Sequence, residues 1–89
     1  KNGDGVGDDL TVVEGIGPRY DAVLKAAGIT TYRALADTGP GRLETILRES
    51  SGRMANPSTW PEQARLAAEG RWQDLQELQR ELKGGRRAD

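Results

Sequence analysis

The chain breaks at Gly15-Ile16-Gly17-Pro18, and this break constrains the structure on both sides of it. Two glycines around one apolar residue permit a tight turn with positive φ and a close backbone approach. The proline behind them suits the first position of a helix, where its missing N–H costs nothing. Ile16 is expected to plug a core and staple the flanking helices together, because an isoleucine in a turn gains most by burial. Upstream, Asp8 or Asp9 can cap a first short helix with Leu10 and Val13 on one face. Downstream, Tyr20, Val23, Leu24 and Ala27 recur at 3,4 spacing, which is a helical face. Gly28 then reads as the helix C-cap residue, with Ile29 packing back.

The same grammar repeats. Thr30 or Thr31 caps a third short helix with Tyr32, Leu35 and Ala36. The loop Asp37-Thr38-Gly39-Pro40-Gly41 leads into a fourth helix with Leu43, Ile46 and Leu47, closed by Ser50-Ser51-Gly52. The segments 10–28 and 32–50 therefore both read as helix, glycine-containing turn, helix, sharing apolar positions and little else. Arg53 to Thr59 reads as a loop with an Asn56-Pro57 turn. Ser58 or Thr59 caps a fifth helix, with Pro61 and Glu62 in its first turn and Ala64, Leu66, Ala67 and Ala68 as a small apolar face. Gly70 interrupts, and a sixth helix is expected from Arg71 to about Lys83, with Trp72, Leu75, Leu78 and Leu82 on one stripe. Gly84-Gly85 stops it.

No segment shows strand alternation, so the expected fold is all-α with five or six short helices. Residues 1–9 read as a flexible Gly/Asp-rich linker, 10–83 as the folded domain, and 84–89 as a disordered tail. The chain begins on Lys1 without a methionine, which fits a fragment or a processed product. Neither a signal peptide nor a run of eighteen apolar residues is visible, so a cytoplasmic location without membrane contact is expected.

Composition argues against catalysis. There are no histidines and no cysteines, which removes Ser-His and Cys-His nucleophile pairs, thiolate zinc sites and disulfides. No pair of carboxylates is singled out by spacing for acid–base work. No enzyme activity, cofactor, metal or small-molecule substrate is therefore expected. Asn2, Asp4 and Asp8 or Asp9 resemble half of a calcium loop, but the terminal glutamate is lacking and a solvated linker is the better reading.

The segment Val13-Glu14-Gly15-Ile16-Gly17-Pro18-Arg19-Tyr20-Asp21-Ala22-Val23-Leu24 resembles the signature of the helix-hairpin-helix family. The stretch 10–50 looks like two such units in tandem, the second degenerate, with Gly39-Pro40-Gly41 as its turn. Asn56-Pro57-Ser58-Thr59-Trp60-Pro61-Glu62-Gln63-Ala64 and Gly70-Arg71-Trp72 extend the likeness. They are similar to a bacterial module that occurs as a C-terminal extension on some ribosomal and membrane-anchored proteins. The resemblance implies sequence-independent binding to the phosphate backbone of duplex DNA or structured RNA. Gly15, Ile16, Gly17 and Arg19 would form the first contact, and Gly39, Gly41 and Arg42 a weaker second one. The physical basis is the outward-pointing N–H groups of the turn and of the following helix N-terminus, which suit a phosphate oxygen.

Charge pulls the other way. The formal net charge is −1, whereas proteins that coat DNA are usually clearly basic. From Asp8 to Glu49 there are seven acidic residues against five basic ones, with Glu14 before the turn and Asp21 one helical turn after it. Acidic neighbours oppose phosphate binding, so a protein-interaction or assembly module within a larger protein is the alternative. Trp60 and Trp72 are both expected to bury against the 10–50 core, since a chain this small needs its few aromatics inside. The carboxylates along 62–81 alternate with Arg65, Arg71 and Arg80, which reads as pairing on solvent faces.

Overall fold

The structure is a computed structural model, and it describes residues 7–51, 56–83 and 86–87. The linker residues 1–6, which include Asn2 and Asp4, lie outside them, as do 52–55, Gly84-Gly85 and Ala88-Asp89. The element order is a 3-10 turn at Leu10–Val12, α1 at Pro18–Ala26, α2 at Tyr32–Ala36, α3 at Pro40–Ser51, α4 at Trp60–Ala68 and α5 at Trp72–Arg80. The protein is all-α, and its only extended pairing among the described residues is a two-residue antiparallel ladder. In it β1, Leu82–Lys83, pairs with β2, Arg86–Arg87. The sixth expected helix thus ends three residues early, at Arg80, and the chain after it turns back on itself.

Local chemistry accounts for the helix ends. Asp9 caps the first turn, accepting from the backbone N–H of Thr11 at 3.0 Å and from its hydroxyl. Those two hydrogen bonds hold its carboxyl below the usual carboxylate range. With only three residues between Asp9 and the extended Val13, the first short helix is a single 3-10 turn. Thr31 caps α2 through its hydroxyl on the Ala34 N–H at 3.0 Å. α1 ends as the sequence predicts. Gly28 has φ +95°, the Ile29 N–H bonds the Leu24 carbonyl at 2.9 Å, and the Gly28 N–H bonds the Lys25 carbonyl at 3.0 Å. This is a Schellman motif, and Ile29 packs back into the core. α4 ends in the same way at Gly70, with the Arg71 N–H on the Leu66 carbonyl at 2.9 Å.

The core sits between two helix pairs. α1 packs on α3, and α2 packs on α4, with α5 against α4. Leu10, Leu24, Leu35 and Leu43 are all fully enclosed, together with Ala64 of α4. Burying each leucine contributes about 1.5–3 kcal/mol before entropy is counted. Trp60 joins this core, its ring tilted against Tyr20 with centroids 6.0 Å apart. Trp72 does not join it. It remains 44% exposed, and its ring meets that of Tyr32 edge to face with centroids 5.9 Å apart. The apolar stripe expected on α5 buries Leu75 alone, and Leu78 and Leu82 are not enclosed. A helix at the margin of a small domain has core on one narrow side only, and Trp72 at its first residue lies beyond that side.

The last residues of the expected linker are part of the fold. The Asp8 N–H donates to the Thr30 carbonyl at 2.7 Å, and its carboxylate accepts from the Tyr32 N–H at 2.8 Å. The Tyr32 hydroxyl donates to the Asp9 carbonyl at 3.1 Å. Gly7 makes this docking possible. Its φ is +78°, and a Cβ there would lie 2.1 Å from the Thr30 carbonyl oxygen. Gly7→Ala is therefore expected to release residues 7–9 from Thr30 and Tyr32. The left-handed backbone alone costs an alanine about 1–2 kcal/mol, and breaking the hydrogen bonds adds to that. A melting curve checks it: a midpoint equal to that of the native chain would contradict the docking.

Candidate nucleic-acid interface

The first hairpin runs from Val13 to the start of α1. Gly15 has φ +106°, a conformation that favours glycine. Ile16 is buried, and its N–H closes the turn on the Val13 carbonyl at 3.0 Å. Gly17 differs from the expectation of two positive-φ glycines. Its φ is −96° and its ψ −176°, extended backbone open to any residue, and it is the N-cap of α1. A Cβ added at Gly17 meets nothing within 4 Å. Pro18 follows at the first helical position, and Arg19 is exposed in the first turn. Gly17 offers no side chain to cap the helix. The N–H groups of Arg19 and Tyr20 have no acceptor among the described residues. These donors carry the partial positive charge of the helix terminus, roughly half an elementary charge.

The second hairpin is offset from its expected position. Pro40 and Gly41 belong to α3, so the turn lies at Asp37–Gly39 and Gly39 precedes the helix as Gly17 does in the first unit. The Leu43 N–H bonds the Gly39 carbonyl at 3.1 Å, matching the bond from the Asp21 N–H to the Gly17 carbonyl at 2.9 Å. Arg42 is exposed in the first turn of α3. Because α1 packs on α3, one helix pair carries both glycine-proline N-termini and both arginines.

The acids near the first hairpin divide. Asp21 is half-buried and internally engaged. Its carboxylate accepts from the Leu10 N–H at 3.2 Å and pairs with Lys25 at 3.2 Å. Asp21 thus ties the 3-10 turn to α1, and its charge is met locally. Glu14 is exposed, as expected of an acid beside a turn. Its backbone is not left to solvent. The Glu14 N–H donates to Gln63 Oε1 at 2.7 Å, and Gln63 Nε2 donates to the Glu14 carbonyl at 3.2 Å. Gln79 Nε2 donates to the Val12 carbonyl at 2.8 Å and to Gln63 Oε1 at 2.9 Å. Neither glutamine stands out in the sequence, because a glutamine on an amphipathic helix reads as solvent-facing. The one available hint is that Gln63 shares a helical face with Ala64 and Ala67. Among the described residues, no group of three or more acidic side chains is placed to hold a metal ion. No helix there is long and apolar enough to cross a membrane.

Two helix–turn–helix units in tandem, each entering its second helix through a glycine and a proline, define a helix-hairpin-helix domain. A family model described as RS2/RL21/YNQ2 HHH domain matches residues 10–68, and the chain belongs to that family. No curated protein and no solved structure gave a significant match.

Proposed function

We propose that this domain is a non-enzymatic module that binds the phosphate backbone of duplex nucleic acid, chiefly through the Gly15–Gly17 hairpin. Gly17 carries the reading. Nothing among the described residues requires a glycine there, since the backbone is extended and a Cβ would meet nothing within 4 Å. A serine or aspartate at an N-cap would satisfy a helix N–H with its own oxygen, and Gly17 forgoes this. The benefit of the missing side chain then lies outside the chain, where a phosphate oxygen can come close to the free N–H groups of Arg19 and Tyr20. Arg19 adds a charge-assisted contact, and Arg42 at the second hairpin a weaker one. Such binding is independent of sequence and falls steeply with salt. The internal pairing of Asp21 supports the reading, since it takes one of the two nearby acids out of opposition.

Gly17→Ser separates this role from a structural one. The serine hydroxyl caps the N–H of Arg19 or Tyr20, which stabilises the helix by a few tenths of a kcal/mol. The same hydroxyl occupies the space and the donors a phosphate would use. The expected result is a melting temperature at or above that of the native domain, with weaker binding to a fluorescent duplex at low salt. Equal duplex affinity in the two proteins would remove Gly17 from the site. Absence of duplex binding by the native domain at low salt would end the reading altogether.

Exposed Glu14 and the net charge of −1 favour a second reading, in which the hairpin docks a protein partner or the parent chain. Pulldown from a nuclease-treated lysate distinguishes the two. A protein partner retained after nuclease treatment supports docking, and one released by it supports the nucleic-acid reading.

A further inference from the structure

The segment that leads into the hairpin, Val12 to Glu14, is held by side chains from α4 and α5. Gln63 is fully buried, and both ends of its amide are engaged. Its oxygen accepts from the Glu14 N–H and from Gln79, and its amide nitrogen donates to the Glu14 carbonyl and to the Thr59 hydroxyl, the last at 3.2 Å. The two contacts with Glu14 reproduce the paired N–H···O bonds that a neighbouring strand would supply. They also fix the amide orientation. A flipped Gln63 would face its NH2 toward the Glu14 N–H, and its oxygen toward the Glu14 carbonyl. Gln79 extends the clamp by two residues, with its amide hydrogens on the Val12 carbonyl and on Gln63. α5 lies beyond residues 10–68, so half of this clamp comes from outside the part of the chain that matches the family.

We infer that Gln63 and Gln79 are positioning residues for the hairpin, two amides that hold Val12–Glu14 as a strand partner would and so preset Gly15–Gly17. Their hold on the hairpin stands apart from any ligand, and only its effect on duplex affinity rests on the proposed function. A polar network of this kind fixes one arrangement when every member is satisfied. Gln63 sits in the core, and its replacement risks the whole fold. Gln79 is half-buried at the margin, and its replacement leaves the Gln63–Glu14 pair in place.

The test compares the native chain with Gln79→Leu, which keeps much of the bulk without a donor, and Gln79→Lys, which restores one. Amide hydrogen exchange is read residue by residue by NMR. In Gln79→Leu, protection of the Glu14 and Ile16 N–H groups is expected to fall by about tenfold, while amides of α3 stay within about twofold of native. Gln79→Lys is expected to recover most of that protection. Unchanged protection at Glu14 and Ile16 would overturn the inference. So would an equal fall in α3, which would mark a purely global effect. Duplex titration over a salt series gives a second readout. Positioning predicts weaker binding in Gln79→Leu with an unchanged slope of log K against log salt, because no phosphate contact is removed. If the native domain does not bind duplex, the proposed function fails, and the exchange data still decide the role of the two glutamines.

Discussion

Trp60→Ala is expected to cost the domain a large share of its stability, and at the low end of its range to unfold it. Trp60 is 1% exposed and is the largest fully buried side chain. It opens α4 and packs against Tyr20 of α1, so it links the second helix pair to the first. Truncating a buried tryptophan to alanine costs about 3–5 kcal/mol. At about 0.05–0.15 kcal/mol per residue, a domain of this length has only about 4–13 kcal/mol to lose. Trp60→Phe is expected to be far milder. It keeps most of the ring, and it removes a buried indole N–H that has no acceptor among the described residues. An unpaired buried donor costs about 1–3 kcal/mol, so removing it offsets part of the reduced volume. Chemical denaturation of the two variants is the measurement. Equal destabilisation by phenylalanine and alanine would contradict this account of the site.

Arg19→Glu is expected to abolish retention on duplex at low salt without changing the fold, and Arg42→Glu to weaken it less. Both arginines are exposed, and neither is in an ion pair among the described residues. Exposed substitutions of this kind usually change stability by less than about 0.5 kcal/mol. At the hairpin the effect is large because the sign of the charge reverses where a phosphate would sit. Removing one arginine from a phosphate makes the slope of log K against log salt shallower by about 0.9 for B-form DNA. Anisotropy titrations across a salt series, with melting curves beside them, provide the check. A charge-reversed double variant that binds as the native domain does would move the duplex contact away from both hairpins.

Much of the fold can be read in the sequence because it is written in local chemistry. The threonine cap of α2, read as Thr30 or Thr31 and found at Thr31, the Schellman turn at Gly28, Pro18 at the head of α1 and the burial of Ile16 are of this kind. What is not legible depends on distant residues. Gln63 and Gln79 bond the backbone of residues far from them in the chain, and a glutamine on a helix carries no mark of its partner. The spacing of Trp72 to Leu75 fits a stripe and points Trp72 at the core, but spacing does not say how far a marginal helix turns its stripe inward. Asp8 reads as linker in a run of glycines and aspartates, and its bonds to Thr30 and Tyr32 exist only because α2 lies beside it. At the hairpin, residue types identify the turn, while the difference between Gly15 and Gly17 is one of dihedral angles.

The bond from Gln79 to the Val12 carbonyl spans 67 residues. Contacts of such separation form only after a long loop has closed, so they come late in folding. The hydrogen bonds of α1 and its Schellman turn, by contrast, join residues close in the chain. The segment entering the hairpin gains its second amide only once α5 has been synthesised and docked. On a ribosome, the Val12 carbonyl would wait for its Gln79 partner until the end of α5 has emerged. A fragment ending at residue 68 would keep every residue that identifies its family and lack the last restraint on the hairpin.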